Sequence, residues 1–492
     1  MLFRIQYAKV VLWKPPIDLA SEMFPNSSFD GTSFGSCCPQ PRNDNTRIEH
    51  EQCLYLNIYK PLVPSNHSLL PVFVWIHGGA HKKGCSAGTL FNGTHMIARS
   101  SPDQPVIIVT INYRLGVFAD MYLKELIEED SEWPTAGNCM YLDMLSALRW
   151  IQKNIRDYGG DPNTVSLFGQ SAGGLSVTDL GAVRGSTNLY RTALSQSSTT
   201  SPGSYEAYYN MSNALNYSND DKQKLLECIR NASIDALMQL YDDRYTRPII
   251  DNHFFPLYPP LAILNGTYNN ITLIMGHNDY EETICTQYPD MNFTKALILV
   301  NQSIGNVWTP FVADYYHLNT CSPYRTANNT RCCDIIRLIL SDKRYDCDIR
   351  RIFDAFYSTY DAEFENNKLF SYHLNCYPRC AASPYEDVCR HSSELPYVFG
   401  FGHDSDLQLQ CNATWDSETE IFSNKIIAHW INIATTGRPL NEWPSYNPSV
   451  SKNFYITPDQ DFSAEIWNRN CTFFNEIEAE VMRKTLLKTY NY

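Results

Sequence analysis

Short apolar segments alternate with amphipathic ones along the first half of the chain. The apolar runs at residues 71–77 and 106–113 are continuous, as in strands buried on both faces of a parallel sheet. Leucine and isoleucine recur at helical spacing between Leu142 and Ile155, which predicts an amphipathic helix. Further strands are expected at residues 165–168, 190–197 and 272–275. This alternation predicts an α/β fold with a large, mostly parallel central sheet flanked by helices.

The rest of the chain adds helices to this plan rather than a second fold. Residues 201–258 are polar and helical in character, which predicts helical cap insertions over the sheet. The sequence contains no internal repeat, low-complexity tract or linker, so residues 1–492 are predicted to form one domain.

A Gly-x-Ser-x-Gly motif, Gly169-Gln170-Ser171-Ala172-Gly173, directly follows one of the predicted strands. Between a strand and a helix, this motif forms the sharp turn that presents a nucleophilic serine. The flanking glycines leave room for the crowded backbone of such a turn. Ser171 is therefore the candidate nucleophile, and the backbone N–H of Ala172 is a candidate oxyanion donor.

A second glycine motif, His77-Gly78-Gly79-Ala80, follows another predicted strand. Small residues at this place let a substrate approach the backbone, whose N–H groups stabilise a developing oxyanion. The backbone N–H groups of this loop are therefore candidates to complete the oxyanion hole with Ala172.

A serine nucleophile requires a base, and the base requires an orienting carboxylate. Glu281 lies just beyond the predicted strand that ends at Met275, and His391 lies further along the chain. The order serine, acid, histidine is the one that this class of fold uses. Glu281 and His391 therefore satisfy the order expected of an acid and a base that serve Ser171.

Composition limits the partners and the cellular compartment. The formal net charge of −14 and the lack of a basic tract argue against a nucleic-acid partner. No apolar run reaches the eighteen residues of a membrane-spanning helix. Sixteen cysteines and thirteen N-glycosylation motifs favour the secretory pathway, although the chain opens without a signal peptide. The motifs begin at Asn26, Asn66, Asn92, Asn210, Asn216, Asn231, Asn265, Asn270, Asn292, Asn301, Asn328, Asn412 and Asn470.

The chain resembles the type-B carboxylesterases, the α/β-hydrolase family that includes the cholinesterases. The resemblance rests on blocks that follow the family order along the whole chain. They are Glu51-Gln52-Cys53-Leu54-Tyr55-Leu56-Asn57, Trp75-Ile76-His77-Gly78-Gly79-Ala80, Asn112-Tyr113-Arg114-Leu115-Gly116, the Ser171 motif and Glu394-Leu395-Pro396-Tyr397-Val398-Phe399-Gly400.

This resemblance implies an α/β-hydrolase fold and hydrolysis of a small-molecule carboxylic ester without a metal or cofactor. It assigns Ser171, Glu281 and His391 as nucleophile, acid and base, with Gly79, Ala80 and Ala172 as oxyanion donors. It also implies disulfides between Cys38 and Cys53 and between Cys347 and Cys471. Cys376, Cys380, Cys389 and Cys411 crowd the neighbourhood of His391, with their pairing left open. The family's usual N-terminal strands are expected to be absent, as in a truncated gene product.

Two alternatives stay open. A cholinesterase is less favoured, because residues 39–52 contain no aromatic side chain that could bind a quaternary ammonium. Gln170 also replaces the glutamate that precedes the serine in cholinesterases. A non-enzymatic adhesion protein of the same fold is the other alternative, although such members commonly lack part of the triad, which is complete in this sequence.

Overall fold

The structure is a computed structural model, and it describes most of the chain. The described residues are 1–19, 31–41, 48–62, 68–121, 123–199, 222–239, 248–325, 329–360, 368–376, 388–400, 415–466, 470–477 and 479. They divide into two compact units. The first comprises residues 1–196, 200–273 and 428–439, and the second comprises residues 197–199, 274–427 and 440–492. Half of the predicted cap, residues 201–221 and 240–247 of the range 201–258, lies outside the described residues.

Strands and helices alternate through much of the described chain. The strands are β1 (Leu2–Gln6), β2 (Ala8–Lys9), β3 (Ile17–Asp18), β4 (Tyr55–Tyr59), β5 (Leu70–Ile76), β6 (Ile107–Ile111), β7 (Gly160–Gln170), β8 (Thr192–Gln196), β9 (Thr272–Asn278), β10 (Leu369–Leu374), β11 (Lys452–Ile456) and β12 (Ser463–Ile466). The helices are α1 (Thr94–Arg99), α2 (Lys124–Glu129), α3 (Cys139–Asn154), α4 (Ala172–Asp179), α5 (Lys222–Arg230), α6 (Ile234–Gln239), α7 (Pro259–Leu264), α8 (Ile284–Gln287), α9 (Phe293–Ile304), α10 (Thr309–Tyr315), α11 (Cys332–Ser341), α12 (Cys347–Thr359), α13 (Leu395–Phe399) and α14 (Ser417–Thr436).

In the first unit, six strands lie side by side in the order β1, β4, β6, β5, β7, β8. The pairs β5–β6, β5–β7 and β7–β8 are parallel, whereas β1–β4 and β4–β6 are antiparallel. Strands β6 and β8 are buried along their whole length, and β5 is buried except at Pro71. Continuous burial explains why these strands read as apolar runs rather than as alternating patterns. The predicted mostly parallel sheet flanked by helices is confirmed.

Helix α3 forms where leucine and isoleucine recur at helical spacing, and all but three of its sixteen residues are buried. A buried ion pair fastens this helix to the loop that follows β6. The guanidinium of Arg114 donates to both carboxylate oxygens of Asp143, over 2.8 and 2.6 Å. Such a two-pronged pair fixes the angle between loop and helix as well as their distance.

In the second unit, β9, β10, β11 and β12 follow one another in that order. Strands β10 and β11 are parallel, and β12 closes this edge by an antiparallel pairing. Helices α9, α10 and α11 pack around a separate apolar core that includes Val300, Val312 and Ile336. Among the described residues, no helix combines the length and apolar character needed to cross a membrane.

Six disulfides link cysteines within the described residues. They join Cys37 to Cys85, Cys38 to Cys53, Cys285 to Cys333, Cys321 to Cys332, Cys347 to Cys471, and Cys376 to Cys389. The structure thus contains both pairings that the resemblance implied. Cys380 and Cys411 lie outside the described residues.

Candidate active site

Ser171 stands on a strained turn between a strand and a helix. Strand β7 ends at Gln170, helix α4 begins at Ala172, and Ser171 between them adopts φ 58° and ψ −125°. A positive φ is unfavourable for a residue with a side chain and marks a position that the surrounding fold imposes. The Ser171 N–H donates to the carbonyl of Gln196 over 2.9 Å, which fixes the turn against β8.

Glycine at position 173 allows this turn to pack against the sheet. A Cβ at Gly173 would lie 2.0 Å from the carbonyl oxygen of Ile76 in β5. A Cβ at Gly169 would in turn lie 2.4 Å from the carbonyl oxygen of Gly173. Both contacts involve backbone atoms, which cannot move aside as a flexible side chain could. At both positions there is therefore room for glycine only.

The loop after β5 lies directly beside Ser171. A Cβ at Gly78 would lie 3.0 Å from the Cβ of Ser171. Gly79 and Ala80 adopt positive φ values of 107° and 57°, so the chain turns sharply here. Ala172 is the first residue of α4, a position whose backbone N–H has no acceptor within its own helix. The first unit therefore brings Ser171 and the loop of Gly79 and Ala80 together at the N-terminus of α4.

His81 joins the loop of Gly79 and Ala80 to helix α4, a role that the sequence analysis missed. Its side chain is buried, and Nε2 lies 3.0 Å from the carbonyl oxygen of Ala172 and 2.9 Å from the Ser176 hydroxyl. Because a carbonyl oxygen only accepts, the Nε2 of His81 carries a proton and donates it. His81 thereby couples the two segments that carry the predicted oxyanion donors.

In the second unit, His391 and Glu281 form a hydrogen-bonded pair. His391 Nδ1 lies 2.6 Å from Glu281 Oε2. The Glu281 side chain is fully buried, whereas that of His391 is 27 % exposed. The second carboxylate oxygen, Oε1, accepts the backbone N–H of Asn278 over 2.7 Å. The carboxylate therefore holds Nδ1 of the imidazole, and Nε2 is the ring nitrogen that can take up a proton.

The pair stabilises the charged form of each partner. Burial opposes ionisation of Glu281, but the attraction of His391 and their hydrogen bond outweigh it, so the pKa of Glu281 is lowered. Burial likewise opposes a charge on His391, but Glu281 outweighs it and raises the pKa of His391 above 6.5. A basic imidazole oriented by a carboxylate suits general-base catalysis near neutral pH.

A second buried carboxyl group, Glu394, supports this pair through Asn278. The Asn278 side-chain amide donates to Glu394 Oε2 over 2.7 Å and to the carbonyl of Arg390 over 2.8 Å. Burial, together with the charge of Glu281, raises the pKa of Glu394 to about 7. One asparagine thus contacts the candidate acid by its backbone and the segment after His391 by its side chain.

In two groups among the described residues, the potential ligand atoms lie close enough to one another to hold a metal ion. They are Cys285 with Cys333 and Asp334, and Asp346 with Cys347 and Cys471. In each group the two cysteines form a disulfide with each other. A sulfur in a disulfide is no thiolate ligand, so the chemistry of these groups does not fit a metal.

The mostly parallel sheet and the turn at Ser171 between a strand and a helix define an α/β-hydrolase. A solved PNB esterase structure superposes with a TM-score of 0.72, covering 97 % of this chain and 95 % of that chain at 24 % identity, which supports the fold. The family model described as the carboxylesterase family matches residues 11–474. The chain therefore belongs to the carboxylesterase family.

Individual relatives have esterase names. Para-nitrobenzyl esterase from Bacillus subtilis (strain 168) is 29 % identical over 453 residues, covering 87 % of this chain and 84 % of that protein. Carboxylesterase 5A from Felis catus is 30 % identical over 424 residues, covering 81 % of this chain and 73 % of that protein. This protein is a carboxylic ester hydrolase.

Proposed function

We propose that this protein hydrolyses small-molecule carboxylic esters through an acyl-enzyme formed on Ser171. The observation that carries the proposal is the strained Ser171 turn, with the Gly78 loop packed against the nucleophile. Such strain at a strand-to-helix turn presents a serine hydroxyl for attack. The His391–Glu281 pair supplies the base that a serine requires.

In the proposed mechanism, Ser171 Oγ attacks the ester carbonyl while His391 Nε2 takes up its proton. Glu281 holds Nδ1 and stabilises the imidazolium. The N–H groups of Gly79, Ala80 and Ala172 stabilise the oxyanion. His391 then gives its proton to the departing alcohol, and a water molecule repeats the sequence to release the acid.

The site favours neutral rather than cationic esters. The disulfide between Cys38 and Cys53 closes a loop that has no aromatic residue to bind a quaternary ammonium. Relatives include a protein named pyrethroid hydrolase Ces2e, from Rattus norvegicus. We propose an uncharged alcohol portion as the preferred leaving group, and the secretory pathway as the compartment, given the six disulfides.

Covalent trapping tests the proposed nucleophile. Protein secreted from a eukaryotic host should hydrolyse short-chain p-nitrophenyl esters, and an organophosphate should stop turnover with one equivalent bound. Peptide mass mapping should place the adduct on Ser171. An adduct on another residue, or a folded protein without turnover, would contradict the proposal.

The pH dependence of hydrolysis follows from the pKa of His391. The base must be neutral, so kcat/KM should fall as the pH falls through a pKa that lies above 6.5. Changing Glu281→Gln removes the carboxylate that raises this pKa, so the acid limb should move to lower pH. The same change should reduce kcat by about 10⁴-fold, since the imidazole loses its orienting partner. Stopped-flow pH–rate profiles of both proteins measure this, and an unmoved limb would count against Glu281 as the acid.

A further inference from the structure

The predicted N-glycosylation motifs are distributed unevenly between surface and interior. Seven of them fall within the described residues; Asn92 is half-buried and the other six asparagines are exposed, at positions 231, 265, 270, 292, 301 and 470. By contrast, the asparagines that are buried in the described part of the chain all lie outside such motifs. These are Asn57, Asn112, Asn138, Asn154, Asn278, Asn432 and Asn453. The motifs therefore occupy positions where a bulky, hydrated glycan can be carried.

Two of these motifs border an apolar groove between helices α9 and α10. The groove has a cavity volume of about 540 Å³, and its apolar lining includes Phe293, Leu297, Ile298 and Pro310. Phe293 is 40 % exposed and Ile298 is 47 % exposed. A contiguous apolar patch of this kind on a folded surface indicates that something covers it.

Asn301 is itself one of the residues that line the groove. It begins the motif Asn301-Gln302-Ser303. Its side-chain oxygen lies 3.4 Å from the hydroxyl of Thr309, the first residue of α10, which donates its one proton to the Gly305 carbonyl over 2.8 Å. The amide nitrogen is the atom to which a glycan is attached, so this contact and glycosylation use different atoms.

In Asn292, at the start of α9, the side-chain oxygen and the side-chain nitrogen likewise have separate roles. Its side-chain oxygen caps the helix by accepting the N–H of Lys295 over 2.9 Å. The cap needs only the oxygen, so a glycan on the amide nitrogen leaves it intact. Phe293 and Thr294, the next two residues of this motif, line the groove.

We propose that Asn301 carries an N-linked glycan whose first sugars lie in this groove and cover its apolar lining. A lipid-diphosphate-linked oligosaccharide is the donor: a bond forms between the sugar and Nδ2, the sugar–phosphate bond breaks, and the amide loses one proton. The C–H faces of the sugar rings pack on Phe293 and Pro310, while their hydroxyl groups stay in water. The groove then binds the protein's own glycan and is not a docking site for another protein. This proposal is independent of the hydrolytic mechanism.

Glycan mapping tests the attachment. The full chain is secreted from a mammalian host and deglycosylated in ¹⁸O-water by an amidase, which leaves labelled aspartate at each occupied position. The label should be found at position 301. An unlabelled Asn301 in protein that is labelled at Asn231 would overturn the proposal.

Binding of the apolar dye anilinonaphthalene sulfonate tests whether the glycan covers the groove. Asn301→Gln and Ser303→Ala both destroy the motif and should raise dye fluorescence several-fold. Ser303→Thr preserves the motif and should match the wild type. Asn231→Gln, which removes a glycan elsewhere, should also leave dye binding unchanged. Ester hydrolysis should be the same in all four variants, which shows that they fold. Equal dye binding with and without the Asn301 glycan would overturn the proposal.

Discussion

Replacing Ser171 by alanine should reduce kcat for p-nitrophenyl ester hydrolysis by about 10⁴- to 10⁶-fold. In the proposed mechanism the change removes the oxygen that forms the acyl-enzyme, which leaves His391 no hydroxyl to activate. The proposed oxyanion donors are unchanged by this substitution, so we expect a residual rate above that of the uncatalysed reaction. Steady-state kinetics with active-site titration measure the loss.

Ser166 offers a matched control for this substitution. It lies five residues earlier, on the strand β7 that leads to Ser171, and is fully buried. Its hydroxyl has no hydrogen-bond partner among the described residues, so Ser166→Ala should change neither activity nor stability appreciably. If Ser171→Ala retained a kcat within tenfold of the wild type, the nucleophile would have to be another residue.

Local patterns in the sequence predicted the strands that are buried on both faces. The apolar run at residues 71–77 corresponds to β5, and that at 106–113 contains β6, because full burial leaves a continuous apolar signal. Strand β12 was missed for the opposite reason. It is an edge strand in which Glu465 and Ile466 are exposed, so no apolar pattern marks it. Its pairing with β11 is visible only in the structure.

The features of the candidate site likewise fall into those that a local motif predicts and those that only the structure reveals. The Ser171 turn could be predicted because its requirements, a strand, a helix and flanking glycines, all lie within a few residues. The contacts of His81 with Ala172 and of Asn278 with Glu394 join residues 91 and 116 positions apart. Such contacts depend on how the elements pack, and a histidine or an asparagine alone gives no local signal for them.

These missed contacts concern orientation rather than reaction chemistry. His81 connects the loop of Gly79 and Ala80 to the helix that begins at Ala172. Asn278 gives its N–H to Glu281 and its side-chain amide to Glu394. Catalytic groups must be held within a fraction of an ångström, which requires supporting hydrogen bonds of this kind. The proposed reacting residues are thus those that motifs predict, whereas the residues that hold them are found only from the packing.

Gly173→Ala should produce the largest structural defect, because the new methyl group meets backbone atoms. The Cβ would lie 2.0 Å from the Ile76 carbonyl oxygen and 2.8 Å from that of His77. Helix α4 must therefore move away from β5, with a loss of about 1–3 kcal/mol or more in unfolding free energy. Ser171 precedes this helix, and a displacement near 1 Å should lower kcat by about 10²-fold in protein that still folds.

Gly159→Ala separates crowding from backbone strain. Unlike Gly173, Gly159 has a positive φ, 87°, and a Cβ there meets no atom within 4 Å. The expected loss is about 1–2 kcal/mol from the left-handed conformation alone, with kcat unchanged. Urea unfolding midpoints and kcat, measured together, distinguish the two cases. If Gly173→Ala behaved like Gly159→Ala in both measurements, close packing of α4 on β5 would not be what positions the nucleophile.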